Sequence, residues 1–212
     1  MNQLFVHLAV EGLLDEEVLT KAIQESGRPY QVLGCHGKKG KNYLKDKIQS
    51  FNQSAKHQCW IIQMDLKQEE KCAPKLVEKL LPQRHPNLIL RVAVRELESW
   101  LLADQVNLSR FLGVSKNVIP LQPDDIPDPK QALINLVRHH SIRRDIIDAL
   151  VPVSDTSSRV GKDYNGKLAE FVVKHWDVRS ARRKSPSLEK AMRAFSNFRP
   201  VGLSAREEKE GT

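Results

Sequence analysis

The feature that most constrains this chain is an alternation, four times over in the first hundred residues, of a short apolar run with a segment of helical spacing. Residues 4–10 are almost continuously apolar and end at Glu11-Gly12, the pattern of a parallel strand buried on both faces rather than a half-exposed one. A helix is expected next. Asp15, Glu16 and Glu17 supply acids near its N-terminus, and Val18, Leu19, Ala22 and Ile23 give its apolar face. Residues 30–35 predict a second strand closed by Gly34 and Gly37, and 41–55 a helix with Leu44, Ile48 and Phe51 in phase. Residues 59–64 predict a third strand running into Asp65, and 73–81 a short helix stopped by Pro82. A fourth strand over 88–94 leads into a helix over 96–104. This alternation implies a parallel α/β sheet with right-handed crossovers and a ligand site at the carboxyl ends of its strands.

Beyond Asp104 no strand is predicted. Pro123, Pro127 and Pro129 make 122–129 a loop, because closely spaced prolines cannot continue a helix. Helices are expected over 130–138, 141–150, 163–176 and 186–195, the last with Ser185 as N-cap and Pro186 in its first turn. The expected organisation is an α/β domain over residues 1–106, a helical extension over 107–203 packed on it, and a flexible tail over 204–212.

Composition narrows the function classes. With 40% hydrophobic and 28% charged residues in 212, the chain is too apolar for disorder. No apolar run approaches the roughly 20 residues of a membrane span. The first residues lack the basic start and small-residue cleavage site of a secretory signal, so a cytoplasmic location away from membranes is expected. Cys35, Cys59 and Cys72 form no CxxC pair, which argues against a disulfide framework or a structural zinc site. A net charge of +8 favours a polyanionic partner through counterion release.

The acids of this basic chain are segregated. Glu11, Asp15, Glu16 and Glu17 come together with no base among them, followed later by Asp65, Glu69 and Glu70, then Glu96, Glu98 and Asp104. Glu11 closes the first expected strand and Asp65 the third, so neighbouring strand ends bring two carboxylates together. Oxygen ligands there suit Mg²⁺ or Mn²⁺, and a hard cation can polarise a phosphoryl oxygen and acidify a bound water. Asp15, four residues beyond Glu11, reaches the same pocket or caps the helix. Glu96 and Glu98 stand directly after the fourth strand, as ligands or as cap and ion-pair partners of Arg91 or Arg95.

Other motifs are weaker. Gly34-Cys35-His36-Gly37-Lys38-Lys39-Gly40-Lys41-Asn42 is not a phosphate-binding Walker loop, since Gly34 and Gly40 are one residue too far apart and Asn42 replaces the hydroxyl. A glycine- and lysine-rich turn at a helix start still suits a phosphate, and nucleic-acid contact is its functional reading beside that of a plain turn. His139-His140 has no further histidine at ligand spacing, and Ser99, Ser141 and the cysteines carry no local nucleophile signature.

Glu11-Gly12-Leu13-Leu14-Asp15, Asp65, and the run Arg91-Val92-Ala93-Val94-Arg95-Glu96-Leu97-Glu98-Ser99-Trp100-Leu101-Leu102-Ala103-Asp104 resemble Toprim-like proteins grouped as a domain of unknown function. Gly161-Lys162-Asp163-Tyr164-Asn165 and Ser185-Pro186-Ser187-Leu188 are similar to the same family, so the resemblance covers most of the chain. It implies a Toprim fold, distantly related to the overcoming-lysogenization-defect nucleases, and members encoded beside an ABC- or AAA-type ATPase in bacterial phage-defence or abortive-infection operons. In that pattern a Glu after the first strand and a D-x-D after the third hold metal. Carried over, these are Glu11 and Asp65, with Asp15 and Glu98 or Glu96 as further ligands. The chain departs from D-x-D at Lys67, where Glu69 or Glu70 would have to substitute, or where the lysine would touch substrate phosphate.

The resulting expectation is a divalent-metal nuclease acting as a phage-defence effector with a partner ATPase and a possible homo-oligomer. Glu11, Asp65 and Glu98 would be catalytic, and Glu11, Asp15, Asp65 and Glu98 would ligate Mg²⁺ or Mn²⁺. Lys38, Lys39, Lys41, Lys67 and Lys162 would hold the nucleic-acid backbone. The alternative is a catalytically silent subunit that binds nucleic acid or an ATPase partner, which Lys67 favours.

Overall fold

In the computed structural model, which describes residues 3–153 and 157–203, β1 (Leu4–Val10) lies inside the sheet because both its faces are apolar. It is followed by α1 (Leu13–Gln24), β2 (Tyr30–Gly37), α2 (Lys41–Ser54), β3 (Cys59–Asp65), α3 (Ala73–Leu80) and β4 (Leu88–Ala93). The strands form one all-parallel sheet in the order β2-β1-β3-β4, the α/β class that the alternation predicts. The tail expected over 204–212 lies outside the described residues.

One face of the sheet carries Ala9, Trp60, Ile62, Met64, Leu88 and Leu90 and packs on Leu44, Ile48 and Phe51 of α2. The other face carries Val6, Leu8, Val10, Ile61 and Ile89 and joins α1 to the C-terminal helices in a single apolar cluster. Those helices are α4 (Glu98–Leu102), α5 (Gln105–Leu112), α6 (Pro129–His140), α7 (Arg144–Leu150), α8 (Tyr164–Lys174), α9 (Val178–Ala181) and α10 (Pro186–Asn197). Trp100, Phe171, Trp176 and Phe195 are buried in this layer. Burying side chains of this size contributes on the order of 2–3 kcal/mol each. Polar contacts add to the seam: Lys21 Nζ donates to the Val172 carbonyl at 2.7 Å, and Tyr30 OH to the Phe195 carbonyl at 2.7 Å. Ser185 caps α10 as predicted, its hydroxyl accepting from the Leu188 N–H.

Two local differences from the sequence reading have physical causes. β2 runs through Gly34 to Gly37, because a register shift opposite Val6 and His7 absorbs one residue, Leu33, which is left exposed on the sheet's outer strand. The helix expected over 96–104 is instead a turn followed by α4 and then α5, because the Asp104 side chain accepts the Asn107 N–H and starts a new helix.

The strand order sets the site. From β1 the chain moves outward to β2, whereas β3 leads to β4 on the opposite side, so the loops after β1 and β3 part at the carboxyl ends of these strands, the switch point at which open α/β sheets bind ligands. Gly37 ends β2 tightly against β1 next to this point. Its φ is +94°, and a Cβ there would fall 2.2 Å from the Val10 carbonyl oxygen. The tight approach lets the Lys38 N–H reach the Val10 carbonyl and the Gly40 N–H the Glu11 carbonyl, each at 3.0 Å. Among the described residues no helix is long and apolar enough to cross a membrane.

Candidate metal centre

Glu11 leaves β1 and Asp65 ends β3, and the two meet: Glu11 Oε1 accepts the Asp65 backbone N–H at 2.9 Å. Asp65 Oδ1 accepts the Leu97 N–H at 3.0 Å and the Gln63 side-chain amide at 3.4 Å. The remaining oxygens of the pair share one cation. Lys67 Nζ stands 3.6 Å from Glu11 Oε2 and 4.0 Å from Asp65 Oδ2. Lys67 adopts a left-handed conformation, φ +49°, just past β3, in the turn that brings its ammonium to the strand ends. Beneath the pair, Lys41 Nζ donates to the Asp65 carbonyl at 2.6 Å.

Glu98 arrives from the first turn of α4. Its Oε1 accepts the Tyr164 hydroxyl at 3.0 Å and lies 3.2 Å from Lys130 Nζ. Lys130 opens α6, and its backbone N–H donates to Glu96 Oε2 at 3.1 Å. Glu11, Asp65 and Glu98 are 9%, 5% and 2% exposed, so water screens their mutual repulsion little.

The electrostatics record the crowding. Asp15, in the first turn of α1, is pushed up to about 7 by burial and then by the Glu11 and Glu98 carboxylates. Asp65 is raised well above the ordinary carboxylate range by burial and by Asp15, Glu11 and Glu98, with Lys67 opposing. Burial and Glu98 likewise raise Glu96. Burial lowers the Lys130 ammonium, but Glu98 and Glu96 outweigh it and the net direction is upward. Tyr164 is raised by burial and by Glu98.

The four acids expected as ligands, Glu11, Asp15, Asp65 and Glu98, are therefore within electrostatic reach of one another. Among the lysines expected on nucleic acid, Lys67 joins them and Lys41 lies beneath. The others stand apart: Lys38 pairs with Glu16 at 2.9 Å, Lys39 lies over the Tyr43 ring, and Lys162 is exposed. The N–H groups of Lys38 and Gly40 hold β1 rather than facing a phosphate. Neither substitute for the second Asp reaches the cluster, since Glu69 pairs with Lys45 and Lys41 and Glu70 with Lys79. Lys130 is the participant that sequence reasoning missed, read only as the start of a helix. Tyr164 entered through the resemblance alone.

Chemistry and charge fit a hard divalent cation: the donors are all carboxylate oxygens, and an ammonium already stands where two of them converge. As the side chains stand, no three His, Cys, Asp or Glu among the described residues form a metal-holding group. The Lys67 side chain is 42% exposed, so its ammonium is not enclosed by the carboxylates it bridges.

Comparisons with protein-family models, curated proteins and solved structures return no match.

A pH dependence follows for the metal-free protein. Asp15 titrates near 3.8 when unfolded and at about 7 in the fold, so its stabilising contribution is full below pH 3.8 and is lost as pH rises through 7. In EDTA, the stability advantage of Asp15→Asn over the wild type should widen as pH rises from about 5 to 8, read by thermal unfolding. A difference that stays constant with pH would contradict the assignment.

Proposed function

We propose that this protein is a Mg²⁺- or Mn²⁺-dependent phosphodiesterase that cleaves nucleic acid. The observation that carries the reading is the junction of Glu11 and Asp65: they come from strands adjacent in the sheet but distant in sequence, and their free oxygens share one cation at the switch point of the sheet. Glu11, Asp15, Asp65 and Glu98 would hold the metal. Bound there, it would supply a Lewis acid for the phosphoryl oxygen and a water of lowered pKa.

The chain's own residues do the rest. The Leu97 N–H and Gln63 fix the Asp65 carboxylate, and Lys41 fixes its backbone. Tyr164 and Lys130 hold Glu98 and limit the repulsion among the acids. Lys67, which stands on Glu11 and Asp65 in the metal-free protein, would supply a positive charge for a phosphate bound beside them. Control by a partner ATPase in a bacterial defence operon is part of the proposal and rests on the family resemblance alone.

Purified protein should degrade DNA or RNA with Mn²⁺ or Mg²⁺ and lose the activity in EDTA. Glu11→Gln should remove cleavage with the fold intact by circular dichroism. A second reading, a silent binding subunit, is favoured by the Lys67 ammonium already placed between the carboxylates. Calorimetric titration with Mn²⁺ separates the two: no heat of binding and no cleavage would leave the silent subunit.

A further inference from the structure

β4 is the last strand of the sheet, and a cavity of about 630 Å³ opens along it between α3 and the start of α10. A second cavity of about 370 Å³ shares Ala73, Pro74, Val94, Asp124, Asp125 and Lys190 with the first and extends it to Leu66, Lys71 and Arg95. Arg95 Nη1 in turn donates to the Lys67 carbonyl at 3.2 Å, so the groove ends against the segment that carries Lys67 to the carboxylates.

Its lining is of two kinds. Val77, Leu90, Val92 and Pro186 give an apolar wall, while Arg84, Arg91 and Lys190 bring positive charge. Arg91 is the telling residue. It sits in the middle of β4, and its Nε is buried with no hydrogen-bond partner. Burial and the neighbouring Arg84 hold its guanidinium below the ordinary value, the mark of a cation short of a counter-charge. Among the described residues Arg84, Arg91 and Lys190 form no ion pair, although Glu78, Asp124 and Asp125 line the same cavity. Asp124 is already engaged, its two oxygens accepting the Ser185 hydroxyl at 2.7 Å and the Ser187 N–H at 2.8 Å. α3 begins at the groove with no side chain capping it, which adds partial positive charge there.

We propose that this groove binds a single strand of nucleic acid, with phosphates on Arg84, Arg91 and Lys190 and a base against the apolar wall, and leads it past Arg95 toward the carboxylate cluster. The volume is that of a small-ligand pocket, enough for one or two nucleotides and too small to take in a duplex. A duplex would also present only phosphates and leave the apolar wall unused, whereas an unstacked nucleotide offers both a charged and an apolar part. The destination of the strand rests on the hydrolysis proposed above; the binding itself does not.

Fluorescence anisotropy with a labelled single-stranded oligonucleotide of about a dozen nucleotides tests this in EDTA, where metal-dependent cleavage plays no part. The exposed pair Arg84→Glu/Lys190→Glu should weaken binding at least about tenfold and lower the slope of log K against log salt by about 1.4, roughly 0.7 per lost phosphate contact. Arg91→Met should weaken it as well, and thermal unfolding reports whether each variant is folded. The wild type should prefer the strand over a matching duplex, and AMP should compete poorly.

Unchanged binding by the folded double variant would overturn the proposal, as would equal affinity for the duplex. Competition by AMP as effective as that by the strand would replace it with a free-nucleotide site. Loss of binding in the variants without any cleavage by the wild type in Mn²⁺ would keep the groove and remove the hydrolysis reading. Cleavage with unaltered binding in the variants would do the reverse.

Discussion

Asp65→Asn is expected to abolish metal-dependent cleavage while making the metal-free protein more stable. The first effect follows from removing one of the two carboxylates that converge on a single cation. Several kcal/mol of transition-state stabilisation go with a correctly held metal, which corresponds to a rate loss on the order of a thousandfold. The second follows from burial. Asp65 is 5% exposed and held well above the ordinary carboxylate range by Asp15, Glu11 and Glu98. An asparagine keeps an oxygen for the Leu97 N–H and removes the charge. A gain of about 0.5–2 kcal/mol is the usual yield of relieving a destabilised functional group. Each kcal/mol should raise the unfolding midpoint of a chain this long by roughly 2–4 °C. Cleavage rates and melting curves in EDTA read the two effects separately, and an Asn variant that is inactive yet less stable would show Asp65 to be a structural carboxylate.

Lys130→Met should have the opposite effect on stability, with a loss of about 3 kcal/mol at neutral pH, because it leaves the buried Glu98 without its positive partner. The lysine side chain is 31% exposed, which keeps the figure at the lower end for a broken buried pair. Glu98→Gln in the same chain should restore much of the loss, since removing both charges of such a pair is often close to neutral. Denaturant unfolding of the two single variants and the double variant gives the coupling directly. A Lys130→Met protein within about 0.5 kcal/mol of the wild type would mean that solvent, rather than Lys130, balances Glu98.

What was legible in the sequence tracks how local the cause is. β1 and β3 were readable nearly to the residue because strands buried on both faces leave continuous apolar runs, and their last residues located Glu11 and Asp65. β2 extends two residues past the predicted strand because it lies at the sheet border with alternate residues exposed, and Gly34 is accommodated within the strand next to the bulged Leu33. The break between α4 and α5 escaped because the apolar spacing continues through it, while the cap made by Asp104 depends on a side-chain rotation that no pattern encodes. Lys130 and Tyr164 were out of reach for another reason: they meet Glu98 only through helix packing, 66 residues apart in the case of Tyr164, and no local spacing marks them. The lysine turn at 38–41 has a composition that suits a phosphate. Its structural part, the backbone N–H groups of Lys38 and Gly40 and the Lys41 ammonium bracing the two acidic strand ends, is set by non-local contacts that composition does not encode.

The partners of Glu98 come from α6 and α8, outside the sheet that presents the other acids. An isolated sheet half would keep Lys67 beside Glu11 and Asp65 but leave the buried Glu98 charge without its counterweight. Anyone transplanting the acidic loops to another scaffold would need to bring both helices along, or supply a substitute cation from the host.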